Sequence, residues 1–252
     1  IFISGSVTYL IEGKAYRLRP WDVLFVSSSE VHKPVIDPTS YYERVVIWVN
    51  PGFLQKHSYE TDLNTCFCLA RERKNNLLRP DPDSANEIMR LVHSLEEACK
   101  SSGFGSTILR NSVFIQLLVV LTRKLMGIGT VGFISDIIAD ESVQRILDYI
   151  NSNITGDLSV EELASRFFLS KYHLMRKFKK YTGYSVHSYV LQKRLLRADT
   201  LIRQGVPATQ ACEQSGFNDY SNFLRAYKRM FGESPKKRAA AATGKEITEY
   251  HI

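Results

Sequence analysis

A set of basic side chains recurs at a fixed interval near the end of the chain, and these residues have the types and spacing best suited to chemistry. The pairs matched at an offset of 49 residues are Arg176 and Arg225, Phe178 and Tyr227, Lys179 and Lys228, Lys180 and Arg229, Gly183 and Gly232, and Ser185 and Ser234. A guanidinium group donates paired hydrogen bonds and an ammonium group is a compact positive charge, so both suit an anionic partner. The repeat therefore predicts two copies of one structural unit, each with cationic side chains on its surface.

The positive charge of the chain is concentrated in the same region. The 252 residues contain 33 Lys and Arg against 26 Asp and Glu, a net charge of +7. Residues 157–238 hold 16 basic and 7 acidic residues, a net of +9, so the remainder is slightly acidic. A solvated surface, a membrane-facing patch and a nucleic-acid contact are the three ordinary explanations of such a segment. The repetition in register favours nucleic acid.

Each copy is predicted to be a short helix, a tight turn and a longer basic helix. At 100° per residue, Leu174 and Phe178 lie on one face of the first basic helix and Arg176 lies on the opposite face. A helix of about twenty residues, 185–204, would join the copies and measure ~30 Å. Successive major grooves on one side of duplex DNA recur every ~34 Å. The spacing thus suits two helix-turn-helix units on one face of DNA.

The C-terminal motifs resemble the DNA-binding domain of the AraC/XylS family of transcriptional regulators. The matching segments are LSVEELA at 158–164, LSKYHLMRKFKKYTG at 169–183, GFNDYSNF at 216–223, FG at 231–232 and SP at 234–235. The resemblance implies an all-α DNA-binding domain over 141–240. It implies base contacts by Tyr172, Met175, Arg176, Tyr220, Ser221 and Arg225. It implies phosphate contacts by Lys179, Lys180, Lys228, Lys236 and Lys237, which would supply affinity and not sequence choice.

The front of the chain has a different pattern. Alternating or β-branched runs predict strands over 7–11, 15–19, 23–26 and 44–49, separated by turn signals. Two helices follow, an amphipathic one from about residue 83 and a strongly apolar one from about Thr107 to Met126. The apolar helix is expected to be buried in the domain, in a dimer interface, or in both. A glycine-rich and acidic stretch over 131–140 is typical of a linker.

Part of the front half resembles the cupin-type barrel that this family uses to bind a small effector. The resemblance rests on Gly13, RPWDVLF at 19–25 and EVH at 30–32. It implies an α+β multidomain protein, with an N-terminal cupin-like β-barrel and dimerising helices over 1–130. It places Glu12, His32, Arg44 and Trp48 along the effector pocket. These side chains suit a carbohydrate, and aromatic or acidic effectors stay open. Because the chain opens in mid-strand, we expect the barrel to lack its first strands.

Enzymatic and metal chemistry are disfavoured. Metal-dependent cupin enzymes need two or three imidazoles close together, whereas the six His are scattered and only His32 falls in the barrel motif. Cys66 and Cys68 lack the two-residue spacer of a zinc site. We therefore expect no catalytic residue, no metal and no cofactor. No apolar run approaches the ~20 residues that span a membrane, and no signal peptide is visible. A cytoplasmic protein without a membrane partner is predicted.

The sequence as a whole predicts a DNA-binding transcriptional regulator. It would act as a homodimer on double-stranded promoter DNA, respond to a small-molecule effector and contact RNA polymerase. The alternatives are an effector-independent architectural or RNA-binding protein and a metal-dependent cupin enzyme. RNA readers usually display aromatic side chains on sheets, whereas the basic and aromatic residues here fall on predicted helices.

Overall fold

A computed structural model describes residues 1–127, 137–242 and 250–251. The elements of the N-terminal half are β1 (Phe2–Ser4), β2 (Val7–Ile11), β3 (Lys14–Arg17), β4 (Val23–Leu24), β5 (His32–Ile36), β6 (Glu43–Arg44), β7 (Val46–Ile47), α1 (Pro51–His57), α2 (Thr65–Glu72), β8 (Leu77–Leu78), α3 (Pro82–Lys100) and α4 (Ser106–Gly127). The later elements are β9 (Ile137–Ile138), α5 (Glu141–Ser152), α6 (Val160–Arg166), α7 (Lys171–Thr182), α8 (Val186–Arg203), α9 (Ala208–Gln214), α10 (Tyr220–Phe231), α11 (Pro235–Ala242) and β10 (Tyr250–His251).

The N-terminal strands form small antiparallel sheets. The largest has the strand order β5-β2-β3-β9, and three strand pairs accompany it, β1 with β6, β4 with β8 and β7 with β10. The edge strands β5 and β9 do not pair with each other, so the four-stranded sheet is open. In the described part of the chain the expected cupin-type barrel is therefore present only as a sheet-containing region without closure.

A two-residue turn joins β2 to β3. Ile11 pairs with Lys14 in the antiparallel register, so Glu12 and Gly13 form the turn. Their φ angles are 45° and 76°, and positive φ at both positions defines the turn that best matches the twist of a hairpin. Gly adopts this backbone freely, whereas Glu does so at a cost of roughly 1–2 kcal/mol. Glu12 is therefore an unusual residue at this position.

Helices α2, α3 and α4 pack over an apolar core beside the sheets. As the spacing predicted, Ile88, Val92 and Leu95 are the buried stripe of α3, which Asp81 caps at its N-terminus. Helix α4 buries residues such as Leu117 in the same core. Its first turn leaves Ile108 and Leu109 exposed to solvent. The helix thus serves the domain core and keeps an apolar end outside it.

The C-terminal half is helical, as predicted, and contains two apolar clusters. The first lies among α5, α6, α7 and the start of α8, around residues such as Leu174 and Phe178. The second lies among the end of α8, α9 and α10, around Phe223 and Tyr227. Helix α8 runs through both and has 18 residues, which at ~1.5 Å each span ~27 Å. Each cluster supports one helix-turn-helix unit.

The segment predicted as a linker is partly outside the described residues, which resume at Ile137. Ile137 and Ile138 form β9 and pair with Tyr16 and Ala15 of β3. Asp140 then caps α5 by accepting a hydrogen bond from the Val143 amide at 3.1 Å. None of the described helices combines the length and the apolar content that crossing a bilayer requires.

Candidate nucleic-acid interface

Helix α7 is anchored by its apolar face and leaves its polar face open. Ser170 caps it by accepting from the His173 amide at 3.2 Å, and Gly183, with φ of 77°, ends it in the left-handed conformation. Leu174 and Phe178 are fully buried. On the opposite side the predicted base-reading residues are exposed, namely Tyr172, Met175 and Arg176. The structure therefore brings these three together on one outward face.

Helix α10 repeats this arrangement. Asp219 caps it through the Asn222 amide at 2.6 Å, and Gly232 ends it in the left-handed conformation. Phe223 and Tyr227 are buried. The predicted base-reading residues of this unit are exposed and lie on the first two turns, namely Tyr220, Ser221 and Arg225. The Arg225 guanidinium donates a hydrogen bond to Asn222 Oδ1, which orients it along the helix surface.

The cations predicted to contact DNA, on α7, α10 and α11, are available to a partner. The five lysines predicted to meet phosphates are exposed, namely Lys179, Lys180, Lys228, Lys236 and Lys237. Within the described ranges, neither these lysines nor Arg176 and Arg225 have a carboxylate within 4.0 Å. Lys177, on the inner side of α7, is instead paired with Asp140 at 2.9 Å. The unpaired charges are thus those that point outward.

A buried carboxylate on α8 holds the second unit together, and the sequence reasoning did not find it. Asp199 accepts hydrogen bonds from Tyr227 Oη at 2.5 Å and Arg238 Nε at 2.6 Å, and it forms an ion pair with Arg203 Nη2 at 2.8 Å. Burial and the neighbouring Asp199 charge raise the pKa of Tyr227, which stays a neutral donor. The network ties α10 and α11 to α8. A signal for it was the lone acidic residue in the basic connector helix.

A second carboxylate, Glu12, plays a comparable part for the first unit. Its side chain accepts from Val31 N at 2.6 Å, Tyr189 Oη at 2.5 Å and Lys193 Nζ at 3.2 Å. Tyr189 lies in the first apolar cluster, against Phe178 with ring centroids 5.4 Å apart. Burial and the Glu12 charge raise the pKa of Tyr189 well above its ordinary value. The predicted effector residue Glu12 therefore faces the DNA-binding half.

The other predicted effector residues are spread over the N-terminal half. His32 is exposed on β5. Arg44, on β6, donates to Tyr9 Oη and lies over the Tyr9 and Tyr42 rings. Trp48 is 60% exposed. A cavity of about 330 Å³ at one end of β2, β3 and β5 is lined by residues 5–8, 17, 18 and 35–37, which include none of the four predicted positions. The pocket assignment stays a prediction.

No three His, Cys, Asp or Glu side chains of the described residues are grouped as ligands of a metal ion would be. The buried Cys66 thiol has its pKa raised to about 11, chiefly by desolvation, so it is protonated at neutral pH. The described cysteines are all free thiols.

Two helix-turn-helix units on one connector helix, each with an outward cationic face, define a double helix-turn-helix protein. A family model described as "Helix-turn-helix domain" matches residues 163–240. MarA of Escherichia coli is 33% identical over 97 residues, which cover 38% of this chain and 76% of MarA. The chain belongs to the AraC family of transcriptional regulators, as the sequence predicted.

Two further relatives match a larger part of the chain. The lactose operon transcription activator of Staphylococcus xylosus is 26% identical over 235 residues, which cover 92% of this chain and 79% of that protein. The transcriptional activator RhaS of Escherichia fergusonii is 27% identical over 160 residues, which cover 63% of this chain. The chain spans 55% of the length of RhaS.

Proposed function

We propose that this chain regulates transcription by placing α7 and α10 in neighbouring major grooves of double-stranded promoter DNA. One observation carries the proposal: both helices bury their apolar faces and leave Arg176 and Arg225, at matched positions, exposed and with no carboxylate of the described residues within 4.0 Å. The ~27 Å connector is comparable with the ~34 Å repeat of the groove. A chain that used these arginines for its own stability would pair them with acids.

The side chains on the two faces divide the work. An Arg guanidinium can donate two hydrogen bonds to guanine O6 and N7, so Arg176 and Arg225 would read bases. Tyr172 and Met175 offer apolar contact to a thymine methyl group, and Tyr220 and Ser221 are the corresponding residues of the second unit. The five exposed lysines would bind phosphates and make affinity dependent on salt.

The N-terminal half would bind a small effector and join two chains. Support comes from the lactose operon activator, whose similarity covers nearly the whole chain and whose name points to a carbohydrate. His32, Arg44 and Trp48 are exposed side chains that suit a sugar, whereas the Glu12 carboxylate already has three protein donors. Exposed Ile108 on α4 favours a homodimer contact. Contact with RNA polymerase belongs to the same proposal.

The DNA-binding proposal is tested by selecting duplexes from a randomised pool with the full chain and measuring affinity by fluorescence anisotropy. Arg225→Ala is expected to cost about 1–3 kcal/mol and to relax preference at one base position. Lys180→Ala should weaken all duplexes alike and reduce the salt slope. Arg123→Ala, on α4, is the matched control. Equal losses for Arg225→Ala on selected and random duplexes would refute its base-reading role.

The effector proposal has its own test. A panel of mono- and disaccharides is screened for a rise in melting temperature, because a ligand that binds only the folded chain stabilises it. If no sugar produces a rise, the carbohydrate class is wrong. Competition of the selected duplex with single-stranded RNA at fixed salt separates the regulator from an RNA-binding protein, for which RNA would displace the duplex.

A further inference from the structure

The β2–β3 hairpin turn is inserted into the first helix-turn-helix unit. Glu12 reaches Tyr189 and Lys193 on α8, and its backbone carbonyl accepts from Gln144 Nε2 on α5 at 3.0 Å. A Cβ placed on Gly13 would lie 2.4 Å from Leu147 Cδ1. Gln144 and Leu147 on α5, with Tyr189 and Lys193 on α8, are here called the hairpin socket.

The contact extends beyond the hairpin turn. Val31 is 3% exposed and packs in the apolar cluster of the first unit. Lys33 Nζ donates to the Gly183 carbonyl at 3.3 Å, and Tyr184 Oη donates to the His32 carbonyl at 3.3 Å. Gly183 is the residue that ends α7, where a cation also suits the helix dipole. The N-terminal sheet therefore holds both the connector helix and the end of the first recognition helix.

Two features indicate that this docking has a functional role in addition to packing. Glu12 sits in a left-handed backbone conformation, and such residues persist only where the surroundings compensate for them. The backbone cost at Glu12 is offset by the hydrogen bonds that its carboxylate accepts from donors in both halves of the chain. In addition, the outward residues Tyr172, Met175 and Arg176 stay exposed in the docked state, so docking is compatible with DNA contact by α7.

We propose that Glu12 is a positioning residue: the docked hairpin fixes the first helix-turn-helix unit in its DNA-binding orientation, and the N-terminal half controls reading by α7 more than reading by α10. The two helix-turn-helix units differ in which half of the chain supplies the carboxylate that accepts from their buried tyrosine. Asp199, inside the DNA-binding half, satisfies Tyr227 in the second unit, whereas Glu12, from the N-terminal half, satisfies Tyr189 in the first. A change in the N-terminal sheet would therefore reach α7 through the socket. This inference rests on the proposed function.

The test uses the full chain and the duplex selected by the wild type. Arg176→Ala and Arg225→Ala first assign which half of the duplex each helix reads. Glu12→Ala should then lower affinity about five- to tenfold, and the loss should vanish on a duplex whose α7 half is scrambled. Glu97→Gln, an exposed residue of α3, is the charge-change control.

A second readout follows docking without DNA. Hydrogen exchange measured by mass spectrometry should become faster in residues 27–33 and 184–193 of Glu12→Ala and stay unchanged in 208–231. Tyr189→Phe should reproduce part of both effects and add little to Glu12→Ala, because the two variants remove one shared hydrogen bond.

The outcomes separate the two proposals. A wild type that selects no duplex overturns the DNA-binding function and this inference with it. A wild type that binds, with a Glu12→Ala variant that binds equally well or loses affinity on both half-sites alike, overturns the positioning role alone. If hydrogen exchange rises throughout the chain, Glu12 is a general stability residue and the inference is wrong.

Discussion

Replacing Asp199 by Ala should destabilise the second helix-turn-helix unit by about 3–5 kcal/mol. The Asp199 side chain is 7% exposed, accepts hydrogen bonds from Tyr227 and Arg238, and forms an ion pair with Arg203. Removing the Asp199 carboxylate leaves the buried Tyr227 hydroxyl and the half-buried Arg238 guanidinium without this acceptor. Breaking one side of a buried charge pair has a cost in this range. Asp199→Asn keeps the shape of the side chain and one oxygen acceptor, so it should destabilise the unit by only about 1–2 kcal/mol.

Urea unfolding followed by far-ultraviolet circular dichroism measures these costs. Glu162→Ala, which removes an exposed pair with Arg166, should change stability by less than about 1 kcal/mol. Tyr227→Phe should cost about 1 kcal/mol, and the double variant Asp199→Ala with Tyr227→Phe should cost less than the sum. If Asp199→Ala costs no more than Glu162→Ala, the buried network does not stabilise this unit and the reasoning is refuted.

Two further predictions concern the junction of the halves. Gly13→Ala should lower the free energy of unfolding in urea by about 1–3 kcal/mol, because φ is 76° and the new Cβ would meet Leu147. Gly103→Ala, also at positive φ but with open space around it, should cost less. Equal costs for the two variants would argue against the contact. Burial acts to raise the pKa of Asp140, but hydrogen bonds from Lys177 and backbone amides outweigh it and lower the pKa below its ordinary 3.8. Its stabilising contribution is thus present above about pH 4 and lost as pH falls through the lower folded value. Asp140→Asn should flatten this acid limb of a melting-temperature profile, and an unchanged limb would contradict the assignment.

The helices of the DNA-binding half were predictable because their boundaries are local signals. Ser170 and Asp219 cap α7 and α10 through their own first turns, and Gly183 and Gly232 end them. The apolar and basic faces follow from the 3.6-residue period. No distant contact is needed to place these features, so the sequence alone predicts the outward residues together with the helices that carry them.

The strands were less predictable because partners decide where a strand starts and ends. Residues 44–49 read as one strand, yet they divide into β6 and β7, which pair with β1 and β10 respectively. The run 23–26 is a strand only at Val23–Leu24, where it pairs with β8. Closure of a barrel likewise depends on which edge strands pair, and a short alternating pattern does not specify the pairing.

The partners of the Glu12 and Asp199 carboxylates could not be predicted for the same reason. Glu12 and Tyr189 are 177 residues apart in the chain, and Asp199 and Arg238 are 39 apart. Nothing in either local pattern marks these residues as partners. Glu12 was assigned to a ligand pocket by resemblance, and the structure gives it an intramolecular role that only the packed halves reveal.

The junction between β9 and α5 restricts how this protein can be re-engineered. Ile138 is paired with β3, and Asp140 caps α5, so Ala139 alone separates a sheet edge from a helix cap. A graft of this DNA-binding half onto a different N-terminal domain would lose the pairing of β9 with β3 if it were cut at the start of α5. Grafts that begin at Ile137, and that bring a β2–β3 turn with them, would preserve the strand pairing and the contacts of this turn with α5 and α8.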